Sequence, residues 1–214
     1  MVMPAQSQGG AVVSVEILGQ IEAVKARIVL HRSFDHVWHS YKGYVLVLDD
    51  APKVALGPTT HAKHRFRIGD VISGVGEPVP DERTEWADIY KVRRIKFATR
   101  GPESEDRAAD IDGGICPPLE ELREHGHLRL DPRTYERSCT RCPFGVVLPT
   151  EIILDQWNTS RVKWRFETHC YGPRDCPRYR PGAPRRVPGR SPGMVYVDDD
   201  VERLKEDEEW AENR

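Results

Sequence analysis

Between residues 12 and 33, apolar and polar side chains alternate at the period of a β-strand, but the alternation changes phase partway along. Val13, Val15, Ile17 and Ile21 share one parity; Val24, Ala26, Ile28 and Leu30 share the other. A one-residue change of phase predicts a long strand carrying a bulge, with Gly19 nearby to permit the bend. Further strands are predicted over residues 41–50, 65–79 and 87–100, and no stretch in this half holds a long helical period. After a break, the cleanest alternation of the chain lies in "RVKWRFETH", residues 161–169. There Val162, Trp164 and Phe166 take one face, and Arg161, Lys163, Arg165 and Glu167 the other. Together with "VVLPTEIILDQW" and a turn at Asn158-Thr159-Ser160 it predicts a β-hairpin.

Seventeen glycines and seventeen prolines in 214 residues reinforce a β-rich chain with many turns. A long bent first strand, a glycine-containing third strand and about five strands in all predict a small closed barrel. The segment Phe66-Arg67-Ile68-Gly69-Asp70-Val71-Ile72 resembles the third strand of OB-fold domains, and the resemblance covers residues 12–100. It implies a face able to bind strands of nucleic acid, flanked by the link "HRSFDHVWHSY". Phe34, Trp38 and Tyr41 in that link are candidates to stack on bases; the other reading has these rings closing one end of the barrel. His31, His36 and His39 are poorly spaced to hold a metal on one face.

Residues 101–138 read as a linker, acidic and glycine-rich at first, then a short helix introduced by Pro117 and Pro118 and ending near Gly126. His125 and His127 flank that glycine and are expected at the surface. Five cysteines follow from residue 116 onward. Cys139 and Cys142 form a two-residue knuckle, and Cys170 and Cys176 lie at the far end of the predicted hairpin, so the hairpin brings the pairs together. Four thiolates suit tetrahedral zinc, and a small module with little core is stabilised by such a metal. The arrangement resembles a zinc ribbon over residues 139–176, which implies Cys139, Cys142, Cys170 and Cys176 as ligands. The second pair is more widely spaced than in typical ribbons, so replacement of Cys170 by His169, and an iron–sulfur cluster on the four cysteines, stay open. Cys116 is expected to take no part.

Charge then adds a partner. The formal net charge is −2, yet nine of the thirty residues 161–190 are Lys or Arg. These are Arg161, Lys163, Arg165, Arg174, Arg178, Arg180, Arg185, Arg186 and Arg190, with Tyr171 and Tyr179 among them. Forked, stackable guanidinium groups beside aromatic rings on a β scaffold point to nucleic acid. An acidic protein surface is the other candidate partner. The chain's own tail is a third: residues 198–214 hold nine acidic side chains against three basic ones.

The expected fold is therefore mainly β. It comprises an OB-like barrel over residues 1–100, the linker, a zinc-ribbon-like module with an Arg-rich extension over 139–190, and an acidic tail over 191–214. The expected function is a non-enzymatic, zinc-binding adaptor for single-stranded or structured DNA or RNA. The alternative is a zinc-ribbon scaffold or accessory subunit docking on a larger enzyme, with an acyl-thioester-binding protein behind it. No glycine-rich phosphate loop, nucleophile elbow or open zinc position points to catalysis. No apolar run approaches the roughly 20 residues that span a bilayer, and the N-terminus lacks a basic segment followed by an apolar one. No membrane partner is expected, and the cytoplasm is the expected location.

Overall fold

The computed structural model describes residues 14–33, 37–49, 52–102, 116–155, 157–183, 185–188 and 195–198. Strand β1 (Val15–Arg32) is the spine on which the others assemble. It pairs antiparallel with β2 (Val37–Leu48) along its second half and with β4 (Val71–Pro78) along its first. Strand β3 (Val54–Leu56) joins β2 to β5 (Ile89–Thr99), and β5 joins β4. The five strands β1–β5 therefore close on themselves through consecutive pairings. Helix α1 (Pro58–His64) bridges β3 and β4.

The expected bulge lies at Glu22. Ile21 faces Leu48 and Ala23 faces Val47, so Glu22 is the extra residue. It lets Ile17 and Ile21 point into the same core as Val24, Ala26, Ile28 and Leu30 despite their opposite parity. Strand β2 carries a compensating irregularity, with Arg27 opposite Gly43 and Ile28 opposite Tyr41, leaving Lys42 unpaired. Gly43 takes φ 128°, and a Cβ there would lie 2.1 Å from the Leu56 carbonyl oxygen.

The third expected strand starts later than its composition predicts, at Val71 rather than residue 65. Gly69 turns the chain at φ 85°. The fully buried Asp70 carboxylate then accepts the backbone N–H of Arg67 at 3.0 Å and of Gly101 at 2.8 Å. The Gly-Asp pair thus ends a loop and ties it to the exit of β5.

Strands β6 (Leu128–Arg129), β7 (Gly145–Ile153) and β8 (Val162–Cys170) extend the same mixed sheet, in the order β2-β3-β5-β4-β1-β7-β8-β6. The β7–β8 hairpin does not hang from a linker as a free ribbon. Leu30, His31 and Arg32 of β1 pair in parallel with Thr150, Glu151 and Ile152 of β7. Helix α2 (Leu119–His125) begins after Pro118 and ends at Gly126, as its sequence predicts, and buries Leu119 and Leu122 in the main core. Helix α3 (Pro132–Thr134), capped by Asp131, runs into a π-helical turn at Tyr135–Cys139. Strands β9 (Arg185–Pro188) and β10 (Val195–Asp198) form a separate antiparallel pair.

Arg161, Lys163 and Arg165 are exposed on one face of the second hairpin strand, but the end of that face is not. Glu167 and His169 are buried while Phe166 stays 44% exposed. That face is therefore covered near the end of the strand, where Arg129 and Arg165 close on Glu167 and the His127 ring lies beside His169.

Replacing Gly43 by Ala should cost about 2 kcal/mol or more, since left-handed backbone strain adds to a contact with the β3 backbone. Urea denaturation would measure this; a loss below about 0.5 kcal/mol would show that β2 can relax at this point.

Candidate functional site

The chain order separates the cysteines, but the sheet reunites them. Gly145, three residues after Cys142, stands opposite Cys170 at the base of the hairpin. Cys139, Cys142 and Cys170 then share a small buried cluster with Leu130 and Tyr135, with Tyr179 and Phe144 packed at its rim. Cys176 is half-buried beside them, on a turn where its N–H donates to the Pro173 carbonyl at 3.3 Å. All five cysteines are free thiols.

Burial pushes the Cys139 thiol up, and Cys142 and Cys176 push it further. Burial likewise raises Cys170 to about 11; the Gly172 N–H opposes the rise, and Cys142, Cys176 and Cys139 add to it. Cys139 and Cys170 thus resist ionisation through burial first, and partly because other thiols are near. A divalent cation would remove that repulsion. The Gly172 N–H donates to Cys170 Sγ at 3.4 Å, a bond that favours a thiolate over a thiol. Among the described residues, no three Cys, His, Asp or Glu side chains stand already arranged to hold a metal ion.

A residue with no signal in the sequence organises this cluster. Lys25 of β1 is fully buried, and its Nζ donates to the carbonyls of Cys139 at 2.9 Å, Gly145 at 2.8 Å and Cys142. Burial lowers its pKa to about 8, against the pull of Cys142, Cys116, Cys139 and Cys170. Cys116 is buried in the main core with its thiol pushed up to about 12 by desolvation. Lys25 and Cys142 both act on it, which connects it with the other four.

The basic residues are less free than their spacing predicts. Arg161 pairs with Asp155 at 3.3 Å, and Arg165 with Glu167 at 2.5 Å. Arg129 reaches the same Glu167 at 2.9 Å. Arg180 donates to the Tyr179 carbonyl at 2.7 Å and the Pro177 carbonyl at 3.2 Å. Lys163 and Arg174 are exposed, and Arg178 is half-buried near Cys139. Tyr179 packs at the cysteine cluster and donates its hydroxyl to the Arg129 carbonyl at 2.9 Å, so it braces the knuckle. Arg185 and Arg186 lie on β9, at register positions opposite Asp198 and Val197 of β10. Arg190 and the tail beyond Asp198 lie outside the described residues.

Trp38 and Tyr41 sit on β2 itself rather than in a link. Trp38 is 44% exposed and stacks on His31 at 5.0 Å. His31 is held in turn by Glu151 at 2.6 Å and Ser40 at 3.0 Å. The ring of Tyr41 is covered by the Arg123 guanidinium at 4.7 Å. Phe34 and His36 lie outside the described residues. The hairpin tip exposes Trp157 (90%) and Leu154 (57%) on a turn whose Asp155 accepts the Trp157 N–H at 2.9 Å. The exposed Trp157 was not singled out by the sequence pattern.

A histidine cluster also escaped it. His39, His127 and His169 come from β2, the turn after α2, and β8. Their ring centroids lie 4.2 Å apart for His39–His127 and 5.1 Å for His127–His169, beside Tyr171. His39 Nε2 and the Tyr171 hydroxyl are buried with no hydrogen-bond partner among the described residues. Comparison with family profiles, curated proteins and solved structures returns no match.

Burial, with Arg32 and His31 adding to it, lowers His39 from 6.5 to about 4. The unfolded chain therefore takes up this proton first, and stability falls as the pH drops from about 6.5 towards 4. The loss attributable to His39 is at most roughly 3 kcal/mol. Melting temperatures at pH 7 and 5 should differ less in His39→Gln than in the unaltered protein; equal differences would assign the acid sensitivity elsewhere.

Proposed function

We propose that this chain is a non-enzymatic, metal-stapled adaptor for nucleic acid. Its metal is zinc on Cys139, Cys142, Cys170 and Cys176, and its barrel is of the OB type. The observation that carries the reading is the gathering of Cys139, Cys142 and Cys170 into one buried cluster, with the half-buried Cys176 near enough to act on Cys139 and Cys170. Bound zinc would supply a structural cross-link between the knuckle and the end of β8, and no open coordination position is needed for that role. The OB assignment is supported by five strands closing in the order β1-β2-β3-β5-β4. In that architecture the face around strands two and three binds oligonucleotides, and Trp38 lies on β2.

The nucleic-acid reading draws on two surfaces. Trp38, held rigid by His31, offers a ring face for a base. The exposed edge of β8 supplies Lys163 and the weakly paired Arg161, whose carboxylate contact a phosphate can replace. A protein partner is the second reading, favoured by the apolar hairpin tip of Trp157 and Leu154.

The purified protein should carry about one zinc ion per chain, and Cys142→Ser should abolish its retention. A brown protein absorbing near ~400 nm would replace zinc by an iron–sulfur cluster. A protein that takes up no metal after reduction would remove the centre.

Binding to single-stranded oligonucleotides should weaken with salt, and Lys163→Gln should lower the log–log slope by about 0.7 if it contacts a phosphate. Trp38→Ala should cost about 1–3 kcal/mol per stacked base with little change in slope. Full-length protein that binds neither DNA nor RNA at about 0.15 M salt, yet loses a protein partner on Trp157→Ala, would favour the scaffold reading.

A further inference from the structure

Lys25 belongs to the barrel, yet its ammonium is spent on the knuckle. It is 0% exposed, and its bonded partners are the carbonyls of Cys139, Cys142 and Gly145, all of them neutral. Among the described residues no carboxylate is bonded to it or paired with it. The ring of Tyr135 lies 5.6 Å from Nζ and closes the site on one side. An ammonium taken out of water without an anion costs several kcal/mol, more than carbonyl contacts alone recover. The groups that act on it electrostatically are thiols: Cys142, Cys116, Cys139 and Cys170. As neutral thiols they leave the cation uncompensated. As four thiolates on a divalent cation, Cys139, Cys142, Cys170 and Cys176 form a net dianion, which is the counter-charge this buried cation lacks.

We propose that Lys25 is a positioning residue and internal counter-cation for the metal centre, and that it couples metal occupancy to the stability of the barrel. The inference rests on the four-cysteine reading above. Two features make the coupling directional. Lys25 gathers carbonyls from both sides of the Cys139–Cys142 knuckle, so the loop is held in one conformation while the thiolates receive the metal. It also sits on the central spine β1, between Val24 and Ala26 of the main core. Removing the metal therefore leaves an uncompensated charge against the barrel wall, and loosening should spread from the knuckle into β1. Cys116, on the barrel side of Lys25, stays a thiol and serves as packing.

Cobalt(II) tests this on the full-length reduced chain, since thiolate-to-cobalt absorption reports the site directly and zinc competition gives relative affinities. Lys25→Gln keeps a donor without charge, and Lys25→Met removes both. Each should weaken Co2+ binding by tenfold or more while leaving the thiolate-to-cobalt bands in place. A role limited to tethering the loop, equal with and without metal, leaves affinity unchanged, and that result overturns the proposal.

A second measurement needs no variant. Chelation of the unaltered protein should raise amide hydrogen exchange in β1 around Lys25 as well as in residues 139–145. Exchange confined to the knuckle overturns the coupling. If the unaltered protein gives no thiolate-to-cobalt bands, the four-cysteine centre itself fails; if it gives them and the Gln variant binds equally well, only the role of Lys25 fails.

Discussion

An extra residue at Glu22 decides which way every later side chain of β1 points. A strand that kept its initial phase would turn Val24, Ala26, Ile28 and Leu30 away from the core that Ile17 and Ile21 begin. With the bulge, both sets fill one interior, and the intervening odd positions face out. Lys25 is one of them, and it meets the knuckle carbonyls. Glu22 itself pairs with Arg141, between the two knuckle cysteines, at 3.4 Å. His31, six residues further along on the same face, supports Trp38 and meets Glu151. Core, cysteine cluster and exposed aromatic surface thus share one phase setting.

The knuckle depends on the barrel for more than attachment. Its own cluster contains Leu130 and Tyr135 besides three cysteines, too little apolar surface to hold residues 130–145 and 170–182 by itself. Backbone contacts tie these segments together: Leu130 N–H donates to the Thr168 carbonyl at 2.9 Å, and Asp131 N–H to the Arg180 carbonyl at 2.9 Å. Parallel pairing of β7 with β1 sets where the hairpin base falls. A register slip by one residue would move Cys170 to the far face of β8, away from Lys25.

Local patterning carried the parts of this architecture that depend on period and on turn chemistry. The bulged first strand, the hairpin from β7 to β8 and the helix ending at Gly126 were legible because each is set by neighbouring residues. The continuity of the hairpin with the barrel was not legible, since a parallel pairing between residues 30–32 and 150–152 leaves no local trace. Lys25 was hidden for a related reason: within an alternating strand, an outward lysine looks solvated until a distant segment covers it. The same holds for His39, His127 and His169, each placed by a different element. Glu167 was placed with the arginines of its face because alternation tells which residues share a face, not which part of it another segment will cover.

Charge density along the chain overstated charge available at the surface. Arg129 and Arg165 converge on the buried Glu167, where displacing either would weaken the compensation of a carboxylate with little water around it. Those two guanidinium groups are structural. Arg161 differs: its contact with Asp155 is long and its side chain is 64% exposed, so the pair contributes at most about 1 kcal/mol. A polyanion can take Arg161 from its partner at small cost, and Lys163 beside it is exposed from the start. The cations cheaply released from this segment are therefore fewer than its arginines.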